Sequence, residues 1–360
     1  QYLEKAAFAT GSDVMDLQGE NRILVKEGLK SLNHTKNYGM RALASRNQLA
    51  PGAIRAYHIG FVLGPCLNAS GRLDTAKRAL KMLLAEDEYQ AAEYAGDLYD
   101  LNASRKEMTE QGVQQAKELI QQMGLERDKV LVIYLPDCHE SLAGIIAGRI
   151  REQYNRPVFV LTRSGDGVKG SGRSIEQYSM FEEMSKCKEL FTKYGGHPMA
   201  AGLSLPEEHV DVFRRKINEN TTLTEEDLCG KIVIDVPMPL SYISKDFVEE
   251  LNILEPFGKS NEKPLFADRD IEIISIRIVG KNQNVCKMQV KSAGSAVMTA
   301  LYFGEPGRLF RFLEEKYGSR ALEQAMAGMG GGMKVSLAYY PEVNRFNGRE
   351  TIQIVVRYFC

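Results

Sequence analysis

Thirty-six consecutive residues, Asp87 to Gln122, contain no proline and only two glycines. Ala91, Tyr94, Leu98 and Leu101 recur there at three-to-four spacing, and charged residues fill much of the remainder. This pattern predicts one long, largely exposed helix or a pair of helices. A solvated helical connector of that length separates whatever precedes it from whatever follows. The chain of 360 residues is long enough for two or three domains.

The two sides of the connector differ in grammar. Residues 20–125 read as mostly helical, with apolar positions at helical spacing in Ile23-Leu24-Val25, Leu29 and Leu32 and again in Ala76, Leu80, Met82, Leu83 and Leu84. After Gly124, Val130 to Leu135 is a short apolar run of strand length, Gly144 to Glu152 is amphipathic, and Pro157 to Leu161 is a second buried strand. Strand, helix, strand predicts a βαβ unit and a small α/β domain ending near Leu205. Past the polar stretch Glu219 to Asp227 the chain turns to β: strands are expected at Ile232–Val236, Ile271–Val279, Cys286–Lys291, Ala296–Phe303 and Lys334–Tyr340, with a helix at Leu309–Tyr317 and a hairpin turn at Asn347-Gly348. About five short strands with a late helix is the layout of an OB-type barrel.

Composition sets limits on function. With 46 basic and 47 acidic residues the formal charge is −1, so capture of a polyanion depends on local patches rather than a bulk field. Cys66, Cys138, Cys187, Cys229, Cys286 and Cys360 form no C-x-x-C pair and most sit in core-like segments, which argues against zinc and against a disulfide framework. No run of eighteen apolar residues and no signal-peptide layout occurs, so the expected location is cytoplasmic, away from membranes.

Two glycine-rich segments carry chemistry. Gly170-Ser171-Gly172-Arg173-Ser174 places small residues around one guanidinium, so that backbone N–H groups and an arginine fork can converge on a phosphate. Tyr194-Gly195-Gly196-His197-Pro198-Met199-Ala200-Ala201-Gly202 combines a tight turn or close backbone approach with a hydrogen-bonding His197 and room for a ligand strand. Either piece alone reads equally well as a Gly-rich turn beside a helix. On chemistry alone Asp13 reads as an N-cap or turn residue, Arg72 as a surface arginine on a turn between helices, and His139 as either a helix cap or a ligand group at a strand end.

In this order and spacing the two glycine segments resemble the nucleic-acid-binding domain of the DHH phosphoesterases. Other stretches extend the resemblance over nearly all of the chain. Ala9–Leu17 with Gly19–Arg22 looks like the last metal-binding motif of the catalytic domain, Gly64–Leu73 is similar to the Asn-Ala-x-Gly-Arg signature, and Cys138–Arg149 resembles the opening of the associated domain. Leu254–Pro264 resembles the segment leading into the OB fold of the superfamily's single-strand-specific exonucleases. The resemblance implies a catalytic-domain remnant over 1–85, a helical connector over 86–124, an α/β DHH-associated domain over 125–218 and an OB-fold domain over 228–360.

It further implies 5′-to-3′ hydrolysis of single-stranded DNA in repair and recombination, through a two-metal site holding Mn²⁺ or Mg²⁺. Single-stranded DNA is the implied partner, alongside a helicase or a single-strand-binding protein. Asp13 becomes a catalytic metal ligand, while Asn68, Arg72, His139, Gly172, Arg173, Ser174, Gly195, Gly196 and His197 become nucleic-acid contacts. The family's earlier Asp-x-Asp and Asp-His-His motifs have no counterpart, no His-His pair occurs, and the chain begins at Gln1. The expectation is therefore a chain that starts inside the catalytic domain, grips DNA and is inactive alone. Two alternatives stay open: a DHH-type oligoribonuclease or cyclic-dinucleotide phosphodiesterase, which would leave the β-rich segment after Gly230 unused, and a non-catalytic single-strand-binding module. In the OB segment Lys281, Lys287 and Lys291 with Tyr302 and Phe303 form either a basic-plus-aromatic strand-binding surface or simply the solvent and core faces of strands.

Overall fold

A computed structural model describes residues 2–165, 167–280, 282–346 and 348–360, so Lys281 and the Asn347 position of the expected hairpin turn lie outside the described residues. The chain divides into two compact units: Gln1–Asp13 with Gly28–Lys231, and Val14–Glu27 with Ile232–Cys360.

The first unit begins with helices α1 (Leu3–Ser12), α2 (Gly19–Leu32, whose first turns belong to the second unit), α3 (Tyr38–Arg46), α4 (Gly64–Leu73) and α5 (Lys77–Leu83). The Asp87–Gln122 stretch is one helix, α6 (Glu88–Gln122), started by Asp87, whose side chain accepts from the Gln90 N–H at 2.7 Å. Its buried residues, Ala91, Ala95, Leu98, Asn102, Thr109, Gly112, Ala116 and Ile120, make one continuous stripe, which decides for a single helix over a pair. Ala95 and Leu98 join the helical core with Leu43, Ile59, Leu63 and Met82. Ala116 and Ile120 join another, with Ile146, Ile150, Val158 and Val160.

The α/β part contains β1 (Leu131–Tyr134), α7 (Ala143–Tyr154), β2 (Val158–Ser164), β3 (Gly167–Arg173), α8 (Met180–Ser185), β4 (Lys193–His197), β5 (Ala200–Leu205) and α9 (Val210–Asn220). The sheet order is β1-β2-β3-β5-β4, with β1 and β2 parallel as the βαβ pattern predicts and the rest antiparallel. The first glycine-rich segment is therefore strand through Arg173, which corrects its reading as a turn, and the second is a hairpin whose tight turn is Pro198-Met199 between β4 and β5. Glycine disfavours strands, and here packing overrides that preference. A Cβ on Gly172 would lie 2.3 Å from Met180 Sδ and 2.8 Å from the Phe159 ring, and one on Gly170 would lie 2.3 Å from Leu161 Cδ2. The core closes over β3 only because these positions have no side chain.

The second unit is a closed five-stranded barrel. Strand β6 (Val236–Pro237) is a two-residue addition to β7 (Phe266–Val279), and β8 (Val285–Lys291), β9 (Met298–Tyr302), β10 (Met333–Phe346) and β11 (Arg349–Phe359) follow. The ring runs β7-β8-β9-β11-β10 and back to β7, the OB arrangement expected from the strand layout. Register shifts in β7 and β10 supply the curvature that closure demands. Between β9 and β10 the chain forms two helices, α10 (Pro306–Tyr317) and α11 (Ser319–Met326), where one was expected. The expected strand at Ile232–Val236 shrinks to its end, because Ile232, Val233 and Ile234 are exposed and Asp235 instead receives the Leu265 N–H on its side chain.

Leu254–Pro264 holds the segment Val14–Glu27 onto this unit. Leu17 seats against Gly258, where a Cβ would lie 2.6 Å from its Cδ1, and its N–H donates to the Lys259 carbonyl at 2.8 Å. Arg22 donates to the carbonyls of Ile253 and Glu255 at 2.9 and 3.3 Å, and Lys259 pairs with Asp16 at 2.9 Å. None of the described helices is long and apolar enough to cross a membrane.

Gly172→Ala should destabilise the protein by ~1–3 kcal/mol, the cost of overpacking a filled core. Chemical denaturation monitored by circular dichroism checks this, with unchanged stability as the contrary result.

Candidate nucleic-acid interface

Strand alternation sorts the glycine-rich segments into two faces. Val168, Gly170 and Gly172 of β3, with Ala201, Leu203 and Leu205 of β5, face the core around Phe159, Met180 and Phe213. The opposite pleat carries Lys169, Ser171 and Arg173 on β3, Ala200, Gly202 and Ser204 on β5, and Lys193, Gly195 and His197 on β4. In register these form three rows: Arg173–Ala200–His197, Ser171–Gly202–Gly195 and Lys169–Ser204–Lys193. Helix α7 packs over β2 and β3. Beside it a cleft of about 400 Å³ is lined by residues that include Ser141, Lys169, Ser171, Lys193, Gly202 and Ser204.

The floor of the face is flat for no internal reason. A Cβ on Gly195 would meet nothing within 4 Å, and one on Gly202 would meet only the Gly170 carbonyl at 3.8 Å. Gly196 is different: its φ of 155° and a Cβ position 2.5 Å from the Ala200 carbonyl make it a packing glycine of the β4–β5 hairpin.

Arginines crowd one end. The Arg173 guanidinium lies on Gly144 in the first turn of α7, where a Cβ would come 2.7 Å from Nη2, and Nη1 donates to the Gly172 carbonyl at 2.8 Å. Arg72, on α4, donates to the Ser141 carbonyl at 2.8 Å. Arg105, on α6, is held by a fork of 3.0 and 3.1 Å bonds to the side-chain oxygen of Asn102, itself buried and donating to Cys66 Sγ. Burial, then Arg72 and Arg151, depress the Arg173 pKa, and burial, then Arg72 and Arg149, depress that of Arg105. Among the described residues Arg72, Arg105, Arg149 and Arg173 form no ion pair. Guanidinium groups from α4, α6, α7 and β3 thus form a partly buried positive cluster with no carboxylate of its own. An anion with oxygen acceptors is the chemical complement of such a cluster.

Among the residues expected at the site, the fold brings Arg173, Gly195 and His197 onto one face with Arg72 beside Ser141 at its margin. Asn68 and Arg72 lie one turn apart, exposed on α4, rather than on a turn between helices. His139 caps the turn Glu140–Leu142, its Nδ1 accepting from the Ser141 N–H at 3.3 Å. Gly172 and Gly196 serve packing on the core side. Ser174 is buried, and its hydroxyl donates to the Tyr178 carbonyl, so it ties down the following loop instead of pointing into the cleft. Asp13 is exposed at the end of α1, and no group of three or more His, Cys, Asp or Glu residues capable of holding a metal occurs among the described residues. A divalent ion of the Mn²⁺ or Mg²⁺ type wants several oxygen donors, and one carboxylate does not fit it. Sequence reasoning missed Lys169, Lys193, Arg105 and Arg149. The first two were available from period-two alternation once the segments are read as strands.

Residues 127–222 match the family model of the DHHA1 domain, and residues 234–358 match that of the RecJ OB domain. The chain is 30% identical over 362 residues to the single-stranded-DNA-specific exonuclease RecJ of Bacillus subtilis, covering 99% of this chain and 44% of that protein. It is 33% identical over 369 residues to RecJ of Salmonella typhimurium, covering 99% and 60%. The chain carries DHHA1 and RecJ OB domains and is similar to RecJ over nearly its whole length. A solved structure of Thermus thermophilus RecJ in complex with Mn²⁺ superposes with a TM-score of 0.81 at 27% identity, covering all of this chain and 49% of that one. The corresponding complex with Mg²⁺ gives 0.79 at 25% identity, covering 99% and 52%. The chain spans about half the length of the RecJ relatives it matches.

A repulsive cluster of like charges costs stability. Arg173→Met, which keeps the aliphatic stem and removes the charge, should leave stability unchanged or raise it by up to ~1 kcal/mol at low salt, with the gain shrinking as salt screens the cluster. Thermal unfolding across a salt series is the measurement; a clear loss at every salt concentration would mean that the hydrogen bond of Arg173 to the Gly172 carbonyl outweighs the repulsion.

Proposed function

We infer that this chain is the strand-holding part of a RecJ-type exonuclease that hydrolyses single-stranded DNA from its 5′ end. The observation that carries the reading is the cluster of Arg72, Arg105, Arg149 and Arg173, free of ion-pair partners among the described residues, beside a floor made of the small Ser171 and the side-chain-free Gly202 and Gly195. A phosphodiester backbone supplies the missing negative charge and bidentate acceptors, and the glycine floor lets it approach the sheet. Asn68 and His139 border the same margin, through α4 and the Ser141 turn. On this reading residues 1–85 belong to the catalytic domain, 86–124 connect, 125–218 form the DHH-associated domain and 228–360 the OB domain. Mn²⁺ or Mg²⁺ is the cofactor of the proposed activity, and Asp13 offers it one oxygen donor. The reading extends to a cytoplasmic role in repair and recombination beside a helicase or single-strand-binding protein.

The barrel offers a second, weaker track. Arg277 and Lys287 face each other across β7 and β8, a like-charge pair that a strand phosphate would relieve. Arg277 is exposed and Lys287 only half-buried, so each contact is worth less.

Arg173→Ala should therefore weaken single-stranded DNA binding more than Lys287→Ala. Losing a partly desolvated charged partner costs ~1.5–3 kcal/mol, against less than ~1 kcal/mol for a solvated charge. The expected losses are roughly ten- to a hundredfold and a few-fold respectively. Fluorescence anisotropy at fixed salt measures both. An unimpaired Arg173→Ala with an impaired Lys287→Ala would transfer the primary site to the barrel.

This chain by itself should release no mononucleotides from 5′-labelled single-stranded DNA in the presence of Mn²⁺, because Asp13 alone provides no bridging geometry for two ions. Release that disappears on Asp13→Ala would overturn this account of the metal donors.

A further inference from the structure

The row Lys169–Ser204–Lys193 lies at the opposite end of the open face from Arg173. Four residues along β3 separate Lys169 from Arg173, ~13 Å at ~3.3 Å per residue, a gap that an extended oligonucleotide crosses in a few nucleotides. Both lysines line the cleft, together with Ser171, Gly202 and Ser204. Lys193 has no ion-pair partner among the described residues. Lys169 has one, Glu140, whose Oε2 accepts from Lys169 Nζ at 2.8 Å and from Ser164 Oγ at 2.9 Å. Glu140 also lines the cleft, the only carboxylate among its lining residues.

We propose that Lys169, Ser204 and Lys193 form a second phosphate subsite, and that Glu140 is an internal anion that occupies Lys169 until a phosphodiester displaces it. The inference rests on reading this face as the strand-holding one, and it adds a polarity to it. The arginine end grips with rigid, partly buried forks, each matched to two phosphate oxygens. The lysine end offers compact charges on flexible stems, one of them already neutralised, so a phosphate there is held loosely and exchanges readily. Both side chains of the Glu140–Lys169 pair are half-exposed, so the pair contributes little to folding and its effect falls on the ligand. A strand fixed at one end and loosely held at the other can advance without leaving the sheet.

The test is anisotropy with a labelled oligothymidylate over a sodium chloride series, using Lys193→Gln, Lys169→Gln, Glu140→Gln, the Lys169→Gln/Glu140→Gln double variant and Arg173→Ala as reference. Lys193→Gln should weaken binding several-fold and reduce the slope of log affinity against log salt by ~0.7, the value for one phosphate contact on a single strand. Glu140→Gln should strengthen binding several-fold, and this gain should vanish in the Lys169→Gln background if Glu140 acts through Lys169. Parental affinity for both lysine variants with an impaired Arg173→Ala removes the subsite and leaves the strand-holding reading intact. Parental affinity for all three defeats the reading itself. Weaker binding by Glu140→Gln at an unchanged melting temperature overturns the counter-ion role, and Lys193→Gln, which breaks no internal contact, decides on the subsite even if Glu140→Gln folds poorly.

Discussion

The face proposed to hold the nucleic-acid strand depends on one β-strand whose inner side carries Gly170 and Gly172. Gly170 and Gly172 let Leu161, Phe159 and Met180 close directly onto the backbone of β3. That closure anchors β3 between β2 and β5, and the alternation of the same strand then presents Lys169, Ser171 and Arg173 outward at fixed intervals. Interior packing and outward-facing chemistry are thus written into alternate residues of a seven-residue strand. A residue with a side chain at either glycine would disturb both at once.

The electrostatics follow from where the arginines stand. Arg173, Arg72 and Arg105 are each tied by a neutral acceptor, Gly172, Ser141 and Asn102 respectively, rather than by carboxylates. Neutral tethers fix a guanidinium in place without consuming its charge, whereas an ion pair would have cancelled it. The near-zero charge of the chain is therefore no guide to this surface. The field is local, built by convergence of elements that are remote in sequence.

How much of this was legible beforehand tracks how local the cause was. Helix α6, the β1–α7–β2 unit and the barrel strands announce themselves through periodicity, because each buries a regular stripe of its own residues. The motif residues around Arg173 and His197 were also visible, as chemistry. Their secondary structure was not, since glycine has no strand preference and the side chains that force it into one, Phe159, Leu161 and Met180, lie elsewhere in the sequence. Arg105 was lost among the charges of a long helix, for its meaning comes from Asn102 and Arg72. Ser174 was misread because nothing local shows that its hydroxyl turns inward to Tyr178. The grip of Leu254–Pro264 on Leu17 and Arg22 joins residues over two hundred positions apart, beyond the reach of any windowed pattern.

Helix α6 is embedded in two separate cores, through Ala95 and Leu98 near its start and Ala116 and Ile120 near its end, with Asn102 and Arg105 between. It therefore acts as a keyed shaft. Each residue turns a helix by ~100°, so inserting or removing a single residue between Leu98 and Gly112 would rotate one bearing surface away from its socket while the other stayed seated. Length variation along this shaft would keep both cores seated only in steps that restore the angular phase.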